Sequence, residues 1–504
     1  MSIKEGLSKP FAKVVVKNIR KWSSRPIETQ QKVLDELIAG AKNTAFGKDH
    51  GFDSIKNYED FKANVPITDY EGLKPYIDRV VEGEPDVLWK GRPLYLCKTS
   101  GTTSGAKYIP LTKESMPNHI DSAKNALLCY INETGNTSFL NGKMIFLQGS
   151  PELDKSGPIP LGRLSGIVAH YVPNYLQKNR MPSWETNCIE EWEQKVDAVA
   201  RETVTEDMRL ISGIPSWVQM YYEKLLEISG KSTIRELFPN FSLFVYGGVN
   251  FEPYRAKFER VIGDTVDIIE TYPASEGFIA FQDTQTEEGL LLVLNKGIFY
   301  EFIRADQFHD DNPERVSLKD VEVGVNYAII LNTNAGLWGY NIGDTVKFVS
   351  KDPYRIVVSG RIKHYTSAFG EHVIGQEVEN AIRHATETCG GEVVEFHLAP
   401  QVDPGEGLPY HEWFIEFGTP PEDLHAFRSA LESAMMRSNI YYNDLIVGQV
   451  LRPCRISIVK PKGFVEYMKS IGKLGGQNKV PKLSNDRTMA DALLAYTETH
   501  VDSQ

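Results

Sequence analysis

The 504-residue sequence is poor in cysteine and has no long apolar run. Its five cysteines, Cys97, Cys129, Cys188, Cys389 and Cys454, are odd in number and far apart. They form no CxxC and stand beside no histidine at ligand spacing, which excludes a disulfide framework and a zinc site and predicts a reducing, cytoplasmic setting. The apolar stretch nearest the start, Phe11 to Val16, is broken by Lys13, so no secretory signal is expected. No segment approaches the ~18 apolar residues of a membrane span. Basic residues number 55 against 67 acidic ones, a formal charge of −12. With no run of Lys and Arg, neither nucleic acid nor an anionic membrane is expected as a partner. The eleven histidines form no HExxH or HxH. GxSxG in a strand–turn–helix context and the dinucleotide fingerprint GxGxxG are also missing, so metalloprotease, α/β-hydrolase and NAD-dependent dehydrogenase readings fail.

What is present is a chain 41% hydrophobic and 24% charged, long enough for roughly three domain-sized units that large enzymes often merge around one core. Residues 4–45 read as two amphipathic helices. Short apolar runs then alternate with helical stretches: Leu94 to Cys97, Met144 to Leu147, Leu210 to Gly213, Ser242 to Tyr246 and Val266 to Glu270. Such alternation predicts an α/β fold, a sheet with crossover helices and ligand-binding loops at the strand ends. From about Gly289 adjacent β-rich runs predict hairpins or a small barrel. After Gly360 a smaller α+β unit is expected, with a helix near 375–388, strands near 392–399 and 411–417 and a helix near 421–437. The predicted domains are therefore 1–360 and 361–504.

Five loops carry chemistry. Thr99-Ser100-Gly101-Thr102-Thr103-Ser104-Gly105-Ala106-Lys107 follows an apolar strand and is expected to lead to a helix from about Lys113. Its glycines free the backbone to fold round an anion, its hydroxyls and N–H groups can donate to phosphate oxygens, and Lys107 adds a charge. Walker A spacing fails at Ala106, and a Ser/Gly surface linker is the bland alternative. Tyr246-Gly247-Gly248-Val249 ends a strand, either as a flat approach for a ligand or as a tight turn. Thr271-Tyr272-Pro273-Ala274-Ser275-Glu276-Gly277 ends the next one, and a carboxylate such as Glu276 beside bound polyphosphate is the natural Mg²⁺ ligand. Asp344, after Gly343, could accept from both hydroxyls of a ribose. Near the end Gly475-Gly476-Gln477-Asn478-Lys479-Val480-Pro481-Lys482 sets lysines on a Gly-rich loop, able to swing toward an anion or to stay solvated.

Taken in order, these segments resemble the motif set of adenylate-forming enzymes. Within that superfamily the chain most resembles the Gretchen Hagen family of acyl-acid amido synthetases, the auxin-responsive family. The resemblance rests on TSGTTSGAK at 99–107, TYPASEG at 271–277, YNIGD at 340–344, GRIKHYTSAFGEHVIGQEVE at 360–379 and QNKVPK at 477–482. It implies a large N-terminal adenylate-forming domain, a small mobile C-terminal domain, and the use of ATP and Mg²⁺. The implied reaction adenylates a small carboxylic acid, releasing pyrophosphate, and then transfers the acyl group to an amine such as an amino acid, releasing AMP. By the same resemblance Ser100, Gly101, Thr102, Thr103, Ser104, Gly105 and Lys107 hold the phosphates. Gly248, Val249, Tyr272 and Ala274 line the adenine, with Thr271 and Ser275 beside the nucleotide. Glu276 binds Mg²⁺, Asp344 the ribose, and Arg361 the ribose or phosphates at the hinge. Lys479 is the residue delivered to the developing charge in the first step. A ligase passing the acyl group to coenzyme A shares the first step, and an inactive nucleotide-binding protein shares the pocket. Ala106 and its neighbours depart from the plant pattern, so no plant acid is carried over. An acyl pocket is expected in the helical region around 115–220, where Tyr130, Trp217 and Tyr221 serve either as pocket or as core.

Overall fold

The computed structural model describes residues 3–99, 107–172, 177–248, 251–308, 310, 312–362, 365, 366, 369, 371, 373–402, 404, 406–448, 450–474, 479–484 and 486–502. The chain forms two compact units. One comprises Met1–Val249, Glu259–Ile342 and Val346–Val357, the other Asn250–Phe258, Gly343–Thr345 and Val358–Gln504. Among the described residues no helix is long and apolar enough to cross a membrane.

The apolar runs of the first unit become parallel strands because each is followed by an amphipathic helix that returns the chain over the sheet face. Met208–Ser212, Leu243–Gly247 and Asp267–Ala274 lie side by side in parallel. Lys143–Phe146 and Arg180–Met181 extend them at one edge. The helix Pro215–Ser229 joins the first pair and begins at Pro215, whose missing N–H would find no intrahelical partner in the first turn anyway. At Gly277–Phe281 the direction reverses. The β-rich runs after Gly289 then extend this same sheet through Leu290–Leu292, Tyr354–Arg361, Tyr340–Lys351, Asn326–Thr333, Ile298–Arg304 and Val316–Ser317, twelve strands among the described residues. The two N-terminal helices, Ile3–Ser23 and Pro26–Ala41, pack by their apolar stripes. Gln30 fastens the second by donating to the carbonyls of Leu294 (2.8 Å) and Ile298 (2.9 Å) and accepting from the Tyr300 N–H (2.9 Å).

The sheet buries one charge outright. Glu301 has no exposed surface and accepts from Arg315 at 3.0 and 2.6 Å, from the Tyr58 hydroxyl at 3.0 Å and from Asn332 at 2.8 Å. A carboxylate this deep is tolerated because every lone-pair direction meets a donor and the opposite charge is adjacent.

The second unit is a four-stranded sheet in the order Glu392–Gln401, Tyr410–Thr419, Arg455–Val459, Thr497–Val501. Helices Gly375–Cys389 and Leu424–Ser438 pack with it around Val378, Ile382, Phe396, Trp413, Phe427 and Leu431. Asp423 starts the latter helix by accepting from the N–H groups of His425 and Ala426, both at 2.9 Å.

Candidate active site

The loop expected to hold phosphate is flanked by two paired strands. Tyr95–Thr99 pairs antiparallel with Lys107–Leu111, Thr99 opposite Lys107, so the chain does not pass from loop to helix at about Lys113. The returning strand carries Pro110 without loss because it lies at the edge of its small sheet. Only then does the helix Met116–Thr134 begin, with Pro117 in its first turn. Ser100, Gly101, Thr102, Thr103, Ser104 and Gly105 lie outside the described residues. Their anchor Lys107 is half-buried, its ammonium 5.6 Å from the centre of the Tyr70 ring. The Tyr70 hydroxyl in turn accepts from the Tyr108 N–H at 3.0 Å.

At the carboxyl ends of the parallel strands, where α/β sheets place their ligands, two loops sit together. Gly248 follows Leu243–Gly247 with φ 82°; Val249 lies outside the described residues. The Thr271 hydroxyl donates to the Tyr246 carbonyl at 2.9 Å. A Cβ on Gly247 would come within 2.5 Å of the Thr271 carbonyl oxygen, so this close approach of two strand ends requires glycine. Asp267–Ala274 then turns through Ser275 and Glu276 into Gly277–Phe281, Ala274 opposite Gly277. Glu276 is therefore the tip of a two-residue hairpin, half-buried. Beside it the buried Ser275 hydroxyl accepts from the Cys97 thiol at 3.2 Å. Burial pushes that thiol up to about 12; the bond to Ser275 lowers it and the Glu276 charge raises it. Cys97 thus stays a protonated donor within reach of the Glu276 field. Tyr272 is buried in the main apolar cluster with Ile279, Ala280 and Ile298, and Ala274 packs against that cluster.

In the second unit Asp344 is half-buried and follows Gly343, whose φ of 84° suits glycine. The Ser359 hydroxyl donates to Thr345 Oγ1 at 3.0 Å, which ties the residue after Asp344 to the one before Gly360. Arg361 ends the strand Tyr354–Arg361, and its side chain lies outside the described part. Of the late loop, Gln477 and Asn478 are outside the described residues, and Lys479 is exposed. The stretch that follows is tied to the strand Glu392–Gln401. Leu398 donates to the Lys482 carbonyl and Ser484 to the Leu398 carbonyl, both at 2.9 Å. His397 Nδ1 lies 2.7 Å from the Pro481 carbonyl, which can only accept, so this nitrogen carries the proton. The Lys482 ammonium is paired with Glu395 and sits 4.6 Å from the centre of the Phe396 ring. Of the two late lysines, Lys482 is spent on the fold.

Among the described residues no three His, Cys, Asp or Glu side chains cluster as a metal site. One carboxylate on a hairpin tip fits Mg²⁺ that takes its other ligands from phosphate and water, and does not fit a metal held wholly by protein. The aromatics of 115–220 resolve toward core. Tyr130 donates to Asp267 at 2.5 Å and accepts from Asn136 at 2.8 Å. Tyr221, fully buried, shares a 2.7 Å bond with Thr203. Trp217 is buried with its ring centre 4.6 Å from that of Trp192.

The model of the GH3 family N-terminal domain matches residues 15–188 and 177–267, that of the central domain 291–361, and that of the C-terminal domain 376–488. The jasmonoyl–L-amino acid synthetase JAR4 of Nicotiana attenuata is 24% identical over 64% of this chain and 65% of its own. The jasmonoyl–L-amino acid synthetase GH3.5 of Oryza sativa subsp. japonica is 23% identical over 91% of each. Among solved structures, the AtGH3.15 acyl acid amido synthetase in complex with 2,4-DB superimposes with a TM-score of 0.80 at 17% identity, covering 97% of each chain, and so shares the fold. With family models matching its N-terminal, central and C-terminal segments, the chain belongs to the GH3 family.

Proposed function

We infer that the chain is an ATP-dependent acyl-acid amido synthetase joining a small carboxylic acid to an amine, with an amino acid as the acceptor class. The observation that carries this is the bond from Cys97 to Ser275, which ties the strand entering the Thr99–Lys107 loop to the hairpin presenting Glu276. The strand from which a loop of phosphate-binding composition departs is thereby bonded to the hairpin that carries a carboxylate. The names of the relatives, amino acid synthetases and an amido synthetase, support the acceptor.

In the first step a carboxylate oxygen of the acid attacks the α-phosphorus of ATP and pyrophosphate leaves, giving an acyl-adenylate. In the second an amine nitrogen attacks the acyl carbon and AMP leaves, with the amine proton passing to solvent or base. The chain's own part is positioning and charge compensation. Ser100 to Gly105 and Lys107 hold the phosphates, and Gly248, Val249, Thr271, Tyr272, Ala274 and Ser275 border the nucleotide base. Asp344 takes the ribose hydroxyls, Arg361 the ribose or phosphates, and Glu276 holds Mg²⁺, which when bound screens phosphate charge. Lys479 meets the charge that develops in the first step. Residues 361–504 act as a cap that turns between the two steps, a hinge motion of the kind that adds and withdraws one group.

The test is acid-dependent exchange of labelled pyrophosphate into ATP, followed by mass spectrometry of products formed from pooled acids with amino acids or coenzyme A. Exchange and an amide product are expected. A thioester in place of the amide overturns the acceptor, and no exchange with a broad acid panel overturns the enzyme reading.

A further inference from the structure

Pro273 interrupts the ladder on which Glu276 is mounted. The strands Asp267–Ala274 and Gly277–Phe281 pair Tyr272 with Ala280 and Pro273 with Phe278, so one residue, Ile279, is extra on the second strand. Such a bulge twists and loosens a hairpin and re-aims the residues near its tip. Pro273 has no N–H with which to continue the pairing. Ile279 turns its carbonyl to the opposite neighbour, where Val293 donates to it at 2.9 Å. Alternation along the strand then points the N–H and C=O of Phe278 back toward the interrupted side.

Both groups are met by one side chain. Asn118, on the helix Met116–Thr134, donates from Nδ2 to the Phe278 carbonyl at 3.0 Å and accepts at Oδ1 from the Phe278 N–H at 2.6 Å. It is 2% exposed. A carboxamide carries one donor and one acceptor side by side, as a strand neighbour's peptide group would. Gly277 lies between: a Cβ there would stand 2.5 Å from Ile298 Cδ1 and 3.5 Å from Asn118 Oδ1. On the other side of the tip Ser275 is held by Cys97. Glu276 is thus gripped one residue before and two residues after itself. The grips come from the strand that enters the Thr99–Lys107 loop and from the helix that follows its returning strand.

We propose that Asn118 and Cys97 are positioning residues for Glu276, setting its carboxylate against the cation that accompanies the nucleotide phosphates. The proposal rests on the reading of Glu276 as the metal-binding carboxylate. Groups that orient a metal ligand are worth about 10–100-fold in metal affinity when removed, and that ratio is what an experiment reads here.

The experiment titrates Mn²⁺ into the full-length protein with a non-hydrolysable ATP analogue and follows free Mn²⁺ by electron paramagnetic resonance. Affinity for the analogue is measured separately without metal. Asn118→Ala is expected to weaken Mn²⁺ binding about tenfold or more while metal-free nucleotide affinity stays as in the parent. Asn118→Asp keeps the acceptor for the Phe278 N–H, loses the donor, and falls between; it also carries the test if Asn118→Ala does not fold. Cys97→Val falls with Asn118→Ala, and Cys97→Ser, which retains a donor for Ser275, recovers the parent value. A general structural role would lower nucleotide and Mn²⁺ affinity together and would overturn the proposal. If Glu276→Gln weakens Mn²⁺ binding but Asn118→Ala, Asn118→Asp and Cys97→Val do not, the clamp is refuted and the reading of Glu276 stands. If Glu276→Gln leaves Mn²⁺ binding unchanged, that reading fails and the clamp with it.

Discussion

Replacing Lys479 and Lys482 separately by alanine should damage different things, although only two residues lie between them. Lys482 has its ammonium on Glu395 and over the Phe396 ring, and the two charged side chains are 17% and 13% exposed. A charge-assisted hydrogen bond is worth about 1.5–3 kcal/mol and a partly covered cation–π contact about 0.5–1 kcal/mol. Lys482→Ala is therefore expected to cost about 2–4 kcal/mol of stability, and Glu395 left unpaired adds to the loss rather than offsetting it. For a unit of this size each kcal/mol lowers the melting temperature by about 2–4 °C, so thermal unfolding of the full chain should move down by about 5–10 °C. Pyrophosphate exchange below the transition should change less than the ~tenfold that 1.4 kcal/mol in the barrier represents. Lys479 is exposed. Its replacement should leave stability within about 0.5 kcal/mol and slow exchange by about 10²–10³, the usual loss when one preorganised donor to developing charge is removed. The two assays, a melting curve and an exchange rate on each variant, separate the roles. If Lys482→Ala slows exchange as much as Lys479→Ala with no fall in melting temperature, Lys482 is the delivered group. The ion pair to Glu395 would then not be the working state of that loop.

Two further outcomes concern the body of the protein. Arg315→Met removes the cation paired with Glu301, leaving a fully buried carboxylate with the Tyr58 and Asn332 donors; chemical denaturation should show a loss of about 3–5 kcal/mol. A loss near zero would refute the view that the buried ion pair, once broken, leaves an uncompensated charge. His119 is fully enclosed, and burial pushes its ring down to about 4. In the unfolded chain it gains a proton below about 6.5 while the folded ring resists until about 4, so the unfolded state binds more protons in that window. Stability should fall as pH drops from about 6.5 to 4 by up to about 3 kcal/mol and be indifferent to this group above 6.5. His119→Phe should flatten that part of the curve in urea titrations at pH 7 and pH 5, and identical pH slopes in the two proteins would refute the assignment.

Much of the scaffold is readable from local sequence because local rules and the fold agree. Leu210-Ile211 and Leu243-Phe244 are apolar runs bounded by turn residues, and each becomes a buried parallel strand. Pro215 begins a helix where proline is tolerated. Disagreement arises where one residue's local preference is overruled by its place in a sheet. Pro110 argues against a strand at Lys107–Leu111, yet at a sheet edge its missing N–H costs no ladder bond. Tyr130 and Tyr221 could not be sorted into pocket or core from spacing alone, because what decides is the hydroxyl's partner. Asp267 lies 137 residues from Tyr130, and Thr203 reaches Tyr221 only once two helices pack.

The candidate site divides along the same line. The place of Glu276 at a strand-end loop is legible, and in isolation the sequence reads it equally as a metal ligand or as a solvated loop charge. Asn118 and Cys97 are not legible, since an asparagine early in a helix reads as a capping residue and a lone cysteine in an apolar strand reads as packing. Their partners lie 160 and 178 residues away, and no periodicity connects them. The one local trace is Pro273, a residue that breaks a ladder beside a carboxylate of proposed function. A ladder broken there must be completed from elsewhere, because buried N–H and C=O groups do not go unpaired. Proline next to a functional carboxylate is thus a reason to look across the fold for an amide side chain, and Asn118 is what the fold supplies.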